Sequence, residues 1–216
     1  MPETPKLTYN PGVFDFASPA DAMKIILTPE GALTTEQRWA RETPYLATLM
    51  ADAVAIDSNS LILDYGCGVG RMARALIERH GCRIIGADIS ASMRALAAAY
   101  VGSERFLACS PDMLDDLVWR GIVFDAALSV WVLQHCIEPE TDVARIKRAL
   151  KPGGQLFVVN NITRAVPTVE RPWVNDGIDM RALLGREFQA GPVRALDAAQ
   201  VDAFVAEHSF CASFSR

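Results

Sequence analysis

The chain has 216 residues, half of them hydrophobic, and a formal net charge of −5 with no dense run of Lys or Arg. The length suits one domain able to bury about 70% of its unfolded surface, and the acidic balance repels a phosphate backbone, so no nucleic-acid partner is expected. Five scattered cysteines without metal-ligand spacing predict reduced thiols in a cytoplasmic protein with no metal, and a polar start without an apolar run near ~18 residues argues against secretion or membrane spanning.

Along the chain, Pro2, Pro5, Pro11, Pro19 and Pro29 break the beginning into a loop-like arm with one short helix over 20–27. Thr34 and Gln37 stand at capping-box spacing and predict a helix start. Thr43-Pro44 predicts a restart, with proline in the first turn where its missing amide matters least. Leu46, Leu49, Met50 and Ala53 form one apolar stripe that would pack on a sheet or cap a pocket. Strands and helices then alternate: strands at 61–65, 84–88, 105–108, 122–130 and 155–160, helices at 69–80, 91–101, 112–118 and 139–150. Met93, Leu96, Ala97 and Tyr100 keep the helical period, whereas Ile62-Leu63 and Phe157-Val158-Val159 are runs typical of strands covered on both faces. The pattern predicts an α/β fold, a doubly wound and mostly parallel sheet with helices on both faces.

The first crossover carries the chemistry. Leu61-Ile62-Leu63-Asp64-Tyr65 passes into a helix through Gly66, Gly68 and Gly70, which can adopt backbone angles closed to other residues and leave room for a ligand against the main chain. The unpaired amides of the next helix would face that ligand. About 20 residues on, Arg83-Ile84-Ile85-Gly86-Ala87 ends in Asp88, where a doubly wound sheet grips a ribose. The dinucleotide fingerprint wants glycine where Arg71 stands, and the Gly-Lys-Ser/Thr of a phosphate loop is absent, so both phosphate-binding motifs lose ground.

These residues resemble the class I S-adenosylmethionine-dependent methyltransferases. The family's Asp/Glu-x-Gly-x-Gly-x-Gly pattern matches 64–70, and its second acid matches Asp88. Ser110-Pro111-Asp112-Met113, the segment 124–135 and the turn Leu150-Lys151-Pro152-Gly153-Gly154 match three further blocks in order, over about 60–161. The resemblance implies a Rossmann-like methyltransferase sheet, with 1–56 an arm and helical cap, 57–216 the S-adenosylmethionine-binding domain, and 162–196 a lid or substrate-binding insertion after the fifth strand. It also implies S-adenosylmethionine contacts from Asp64, Gly66, Cys67, Gly68, Gly70, Arg71, Asp88, Ile89, Asp112, Met113 and Ser129. Asp64 would face the methionine ammonium, and Arg71 would either pair with its carboxylate or stay solvated.

Methyl transfer needs alignment and dryness, and a base only if the acceptor keeps its proton. His135, after the fourth strand, is the candidate base; its rival role is to cap or tie a loop. Trp131 and Asn161 are candidate acceptor contacts. The five arginines of the insertion, against four acids, either bind an anionic substrate or form a solvated surface. The expected function is methyl transfer to an O, N or C nucleophile of a small molecule. The alternatives are a peptide or protein amine methyltransferase, on the spacing of Trp131 and His135 with Asn161, Asp176 and Asp179, or a silent S-adenosylmethionine-binding module. A last helix is predicted over 197–207 and a strand over 210–214. Since the family closes its sheet with a hairpin, either 187–194 supplies the missing strand or the sheet is curtailed.

Overall fold

Alternation along the strands sets the architecture. In the computed structural model, which describes residues 7–216, Ile62 faces one core and Leu63 the other, as do Phe157 and Val158. Such strands must be covered twice. Met1–Lys6, with Pro2 and Pro5 of the predicted arm, lie outside the described residues. The central strands are β1 (Leu61–Tyr65), β2 (Arg83–Ala87), β3 (Phe106–Cys109), β4 (Phe124–Val130) and β5 (Leu150–Asn161). They run parallel in the order β3-β2-β1-β4-β5. The chain winds outward from β1 and then returns to β4 on its other side, opening a crevice at the carboxyl ends of β1 and β4.

One face is covered by α2 (Thr35–Ala53), through Leu46 and Met50, and by α3 (Arg71–His80), through Met72 and Leu76. The other is covered by α6 (Pro139–Ala149), through Val143 and Ile146, and α7 (Met180–Glu187), through Leu183 and Leu184. Two further helices, α4 (Ala91–Val101) and α5 (Pro111–Trp119), follow β2 and β3, and α1 (Pro19–Ile26) lies before α2.

The predicted break at Pro44 does not occur: α2 runs through it. The Thr43 hydroxyl donates to the Trp39 carbonyl at 2.6 Å. Ala40, whose carbonyl loses its amide donor to the proline, lies on the exposed face, where water can satisfy it. The capping box forms as read: Thr34 Oγ1 accepts from the Gln37 amide at 3.3 Å, and Gln37 Oε1 accepts from the Thr34 amide at 2.9 Å.

The sheet is not curtailed. Its last two strands are β6 (Gln189–Arg194) and β7 (Ser209–Ser215), the latter lying antiparallel between β5 and β6 in a seven-stranded sheet. A register shift between Ala190 and Val193 absorbs Gly191 and Pro192 on this edge strand, where a missing amide disrupts no inner ladder. The predicted last helix is split into α8 (Ala198–Val201) and α9 (Ala203–His208) at Asp202, whose φ of +81° lies outside the helical region. Among the described residues no helix is long and apolar enough to cross a membrane.

Candidate cofactor and acceptor site

Above the carboxyl ends of β1 and β4 lies a cavity of about 800 Å³. Its floor is the glycine loop, where Gly66, Gly68 and Gly70 take φ of +78°, +53° and +81°, values that strain any side chain. A Cβ at Gly66 would lie 2.3 Å from Val132, and one at Gly68 2.8 Å from Ile26 of α1. These two glycines therefore let the loop after β4 and the N-terminal helix close on the floor. Gly70 stands apart from the cavity lining, because its missing Cβ admits Val101 of α4, which would be 2.5 Å away. The loop amides are used internally: Gly66 and Cys67 donate to the Ala87 carbonyl at 2.7 and 3.1 Å, and Gly68 donates to Asp88 Oδ2 at 2.8 Å. The floor thus offers bare Cα surface, with these three loop amides already engaged.

Charge is concentrated at one end of this floor. Asp64 is 3% exposed, and its Oδ2 has no partner among the described residues. Burial pushes its pKa up to about 7, against the pull of Arg71 and of the Ala73 amide. Arg71 is also 3% exposed, which overturns the solvated reading. Its guanidinium donates to Thr43 Oγ1 at 3.2 Å and lies 5.6 Å from the Trp39 ring centroid, and burial lowers its pKa to about 10. Asp64 and Arg71 line the same cavity without forming a salt bridge to each other. Nearby, Arg38 joins Glu42 at 2.6 Å and also donates to the Thr28 carbonyl. Glu42 is wholly buried, with its carboxyl pKa raised by burial, and its Oε2 has no partner among the described residues. Two buried guanidiniums beside an Asp64 carboxyl whose pKa is pushed up to about 7 leave this end short of negative charge. A ligand bringing an ammonium to Asp64 and a carboxylate toward the arginines would repair that balance.

Asp88 sits where the floor meets β2. Its two oxygens accept from the Gly68 amide at 2.8 Å and the Ser90 amide at 2.9 Å, and burial raises its pKa despite them. Each oxygen keeps a second acceptor position, which suits a vicinal diol. Ile89 and Cys67 line the cavity on either side of it.

The opposite wall is built by the loop after β4. Trp131 has φ of +63°, rare for a bulky residue, is held by its amide donating to the Val159 carbonyl at 2.8 Å, and leaves a buried Nε1 without a partner among the described residues. His135 follows in a single 3-10 turn, Leu133–His135. Its Nδ1 lies 2.6 Å from the Ala165 carbonyl and must carry the proton there. Nε2 is therefore an acceptor when the ring is neutral, and the Gln134 side-chain amide reaches it at 3.3 Å. That amide is oriented by its own Oε1, which accepts from the Asn161 backbone amide. Burial, with Arg164 nearby, lowers the His135 pKa below its ordinary 6.5. The ring packs against Phe14 of the arm, with centroids 5.8 Å apart, and Trp173 of the insertion, 5.3 Å away. Asn161 also lines the cavity, and its Oδ1 accepts from Ser209 Oγ.

Three other residues expected at the cofactor lie outside the cavity lining. The side chains of Asp112 and Met113 are exposed on the first turn of α5, capped by Ser110, and Pro111 faces the cavity instead. Ser129 is fully buried inside β4. The acids proposed for an amine site are committed elsewhere: Asp176 is paired with Arg164 at 2.7 Å, and Asp179 caps α7 by accepting from the Arg181 and Ala182 amides. Arg38, Phe14, Gln134 and Trp173 were not legible as site residues. The i,i+4 spacing of Arg38 and Glu42 was the one available signal, and it reads equally well as a surface pair.

Residues 63–158 match the family described as a methyltransferase domain. An N-demethylindolmycin N-methyltransferase from Streptomyces griseus is 36% identical over 109 residues, covering 48% of this chain and 45% of that protein. The chain spans less than half the length of the curated relatives it matches. Among solved structures, the magnesium protoporphyrin IX methyltransferase from Synechocystis, with bound S-adenosylhomocysteine, superposes with a TM-score of 0.62 at 17% identity, covering 95% of this chain and 97% of that one. The [4+2]-cyclase SpnF superposes with a TM-score of 0.65 at 20% identity, covering 88% and 84%. The structural likenesses establish the fold, and the family match makes residues 63–158 similar to a methyltransferase domain.

Proposed function

We propose that this chain binds S-adenosylmethionine and transfers its methyl group to a nucleophile of a small-molecule acceptor. The observation that carries the reading is the floor of the cavity: a buried Asp64 carboxylate with one oxygen unpartnered among the described residues, the unbridged Arg71, and Asp88 with spare acceptor positions. They suit the ammonium, the carboxylate and the ribose diol of one ligand. When bound, that ligand supplies a methyl carbon already activated by a sulfonium, so the protein's share is alignment and exclusion of water. Phe14 and Trp173 close the wall beside His135 and would keep the reacting face dry. His135, neutral and with Nδ1 engaged, would accept a proton from the acceptor at Nε2 once Gln134 yields that position.

A cavity of about 800 Å³ favours a small acceptor, as do relatives named for indolmycin and phosphoethanolamine chemistry. The engagement of Asp176 and Asp179 in structural bonds removes the carboxylates on which the peptide-amine reading depended. The test is to incubate the protein with methyl-labelled S-adenosylmethionine and fractionated metabolite or peptide pools. Labelled small molecules with release of S-adenosylhomocysteine, reduced in His135→Ala, are expected. Label only in peptides refutes the small acceptor, and tight donor binding without any product refutes the catalytic reading.

A further inference from the structure

Arg164 follows the end of β5 by three positions, is 1% exposed, and is among the largest fully buried side chains. Its Nε and Nη2 donate to the two oxygens of Asp176 at 2.7 and 2.8 Å. Nη1 donates to the Leu133 carbonyl at 2.7 Å, and Nη2 also donates to the Cys136 carbonyl. Those two carbonyls bracket the turn that carries His135. The next residue completes the grip: the Ala165 amide donates to the Gln134 carbonyl at 2.9 Å, and the Ala165 carbonyl receives His135 Nδ1. One guanidinium and one peptide unit thus hold the His135 turn on both sides.

We propose that Arg164 is a positioning residue for His135, fixing its turn against the Ala165 carbonyl so that Nδ1 keeps the proton and Nε2 faces the cavity as a lone pair. A planar fork is needed because the Asp176 carboxylate and two carbonyls of the His135 turn converge on it from different directions, and a lysine point charge cannot span them. Burying a cation there is costly unless it is paired, which assigns Asp176 its place as counter-charge. Among the described residues the charge acting on the imidazole is Arg164, with Asp176 paired behind it and the Cys136 thiol next in the chain; Tyr9, Glu138, Asp142 and Arg145 line the same cavity, and Gln134, Phe14 and Trp173 are uncharged. The guanidinium therefore also opposes a second proton on the ring, and Asp176 moderates it.

The inference rests on the proposed role of His135 only for its catalytic meaning, and its test needs neither donor nor acceptor. Nitrogen-15 NMR of the imidazole, followed through pH in wild type, Arg164→Gln and Asp176→Asn, reads the tautomer and the titration midpoint directly. Wild type should show a single Nδ1–H tautomer. Arg164→Gln should mix the tautomers and move the midpoint up, since the cation is gone and Asp176 remains. Asp176→Asn should move it down, because the guanidinium loses its counter-charge. Mere loosening of a loop would expose the ring and raise the midpoint in both variants. Shifts of the same sign, or a wild-type tautomer in folded Arg164→Gln, overturn the proposal; if Arg164→Gln does not fold, the sign in Asp176→Asn decides. A wild-type rate in His135→Ala would remove the base and leave the NMR result standing, so the two claims fail separately.

Discussion

Asp64→Asn, examined against pH, probes the charge balance of the cavity floor. Asp64 is 3% exposed, with one oxygen unpartnered and a pKa pushed up to about 7 by burial. An ammonium seated against it would favour the ionised form and carry its pKa in the complex back below the acid range of the experiment. The sign follows from that difference. In the free protein Asp64 takes up a proton as pH falls through about 7, in the complex it does not, so binding releases a proton and weakens as pH falls. The free carboxyl is about half ionised at pH 7 and about 3% ionised at pH 5.5, a ratio near ~16-fold, or on the order of 1.6 kcal/mol of binding free energy. Isothermal titration with S-adenosylhomocysteine at the two pH values, in buffers of different ionisation enthalpy, measures both the ratio and the proton released. In Asp64→Asn the affinity at pH 7 should be lower and most of the pH dependence gone, with only the contribution of Asp88 left. A flat affinity in wild type, or the same slope in the variant, refutes the assignment of the ammonium to Asp64.

Asp88→Ala should lower S-adenosylhomocysteine affinity by at least about 10-fold, the loss of a charge-assisted diol contact, with little change in far-ultraviolet circular dichroism; unchanged affinity would remove the diol from that carboxylate. Once the acceptor is found, wild-type turnover should rise with pH along a limb lying below the ordinary histidine value of 6.5 and then level off. His135→Ala should lose that limb and roughly 10²-fold or more in turnover, with cofactor affinity unchanged. A limb that survives the substitution belongs to another group.

Much of the scaffold was legible because it is written locally. The shift from an apolar strand to a helix through Gly66, Gly68 and Gly70, and the acids at the ends of β1 and β2, need no distant partner to be recognised. Alternation at Ile62-Leu63 and Phe157-Val158 likewise anticipates the two cores on which the sheet is built. What escaped was set by assembly. Pro44 signals a break, yet α2 passes through it because the Ala40 carbonyl that loses its donor lies on the exposed face. The edge strand at 189–194 was one of two alternatives the sequence left open, and the register shift that accommodates Gly191 and Pro192 is visible only in the paired sheet. Arg164 was one of five arginines in a polar insertion, and two of its partners are main-chain carbonyls, which every residue possesses and no sequence advertises. The site's aromatic wall has the same origin: Phe14, His135 and Trp173 come from three distant segments and meet only when the chain has folded.

The central claim is that the crevice over β1 and β4 holds a charged sulfur nucleoside. A crystal structure of the protein with S-adenosylhomocysteine tests it most directly. The account predicts the amino group within hydrogen-bonding distance of Asp64, the carboxylate on the side of Arg71, and the ribose hydroxyls on Asp88. Ligand density elsewhere, or a nucleoside lying in the crevice with its amino acid end away from Asp64 and Arg71, would contradict it.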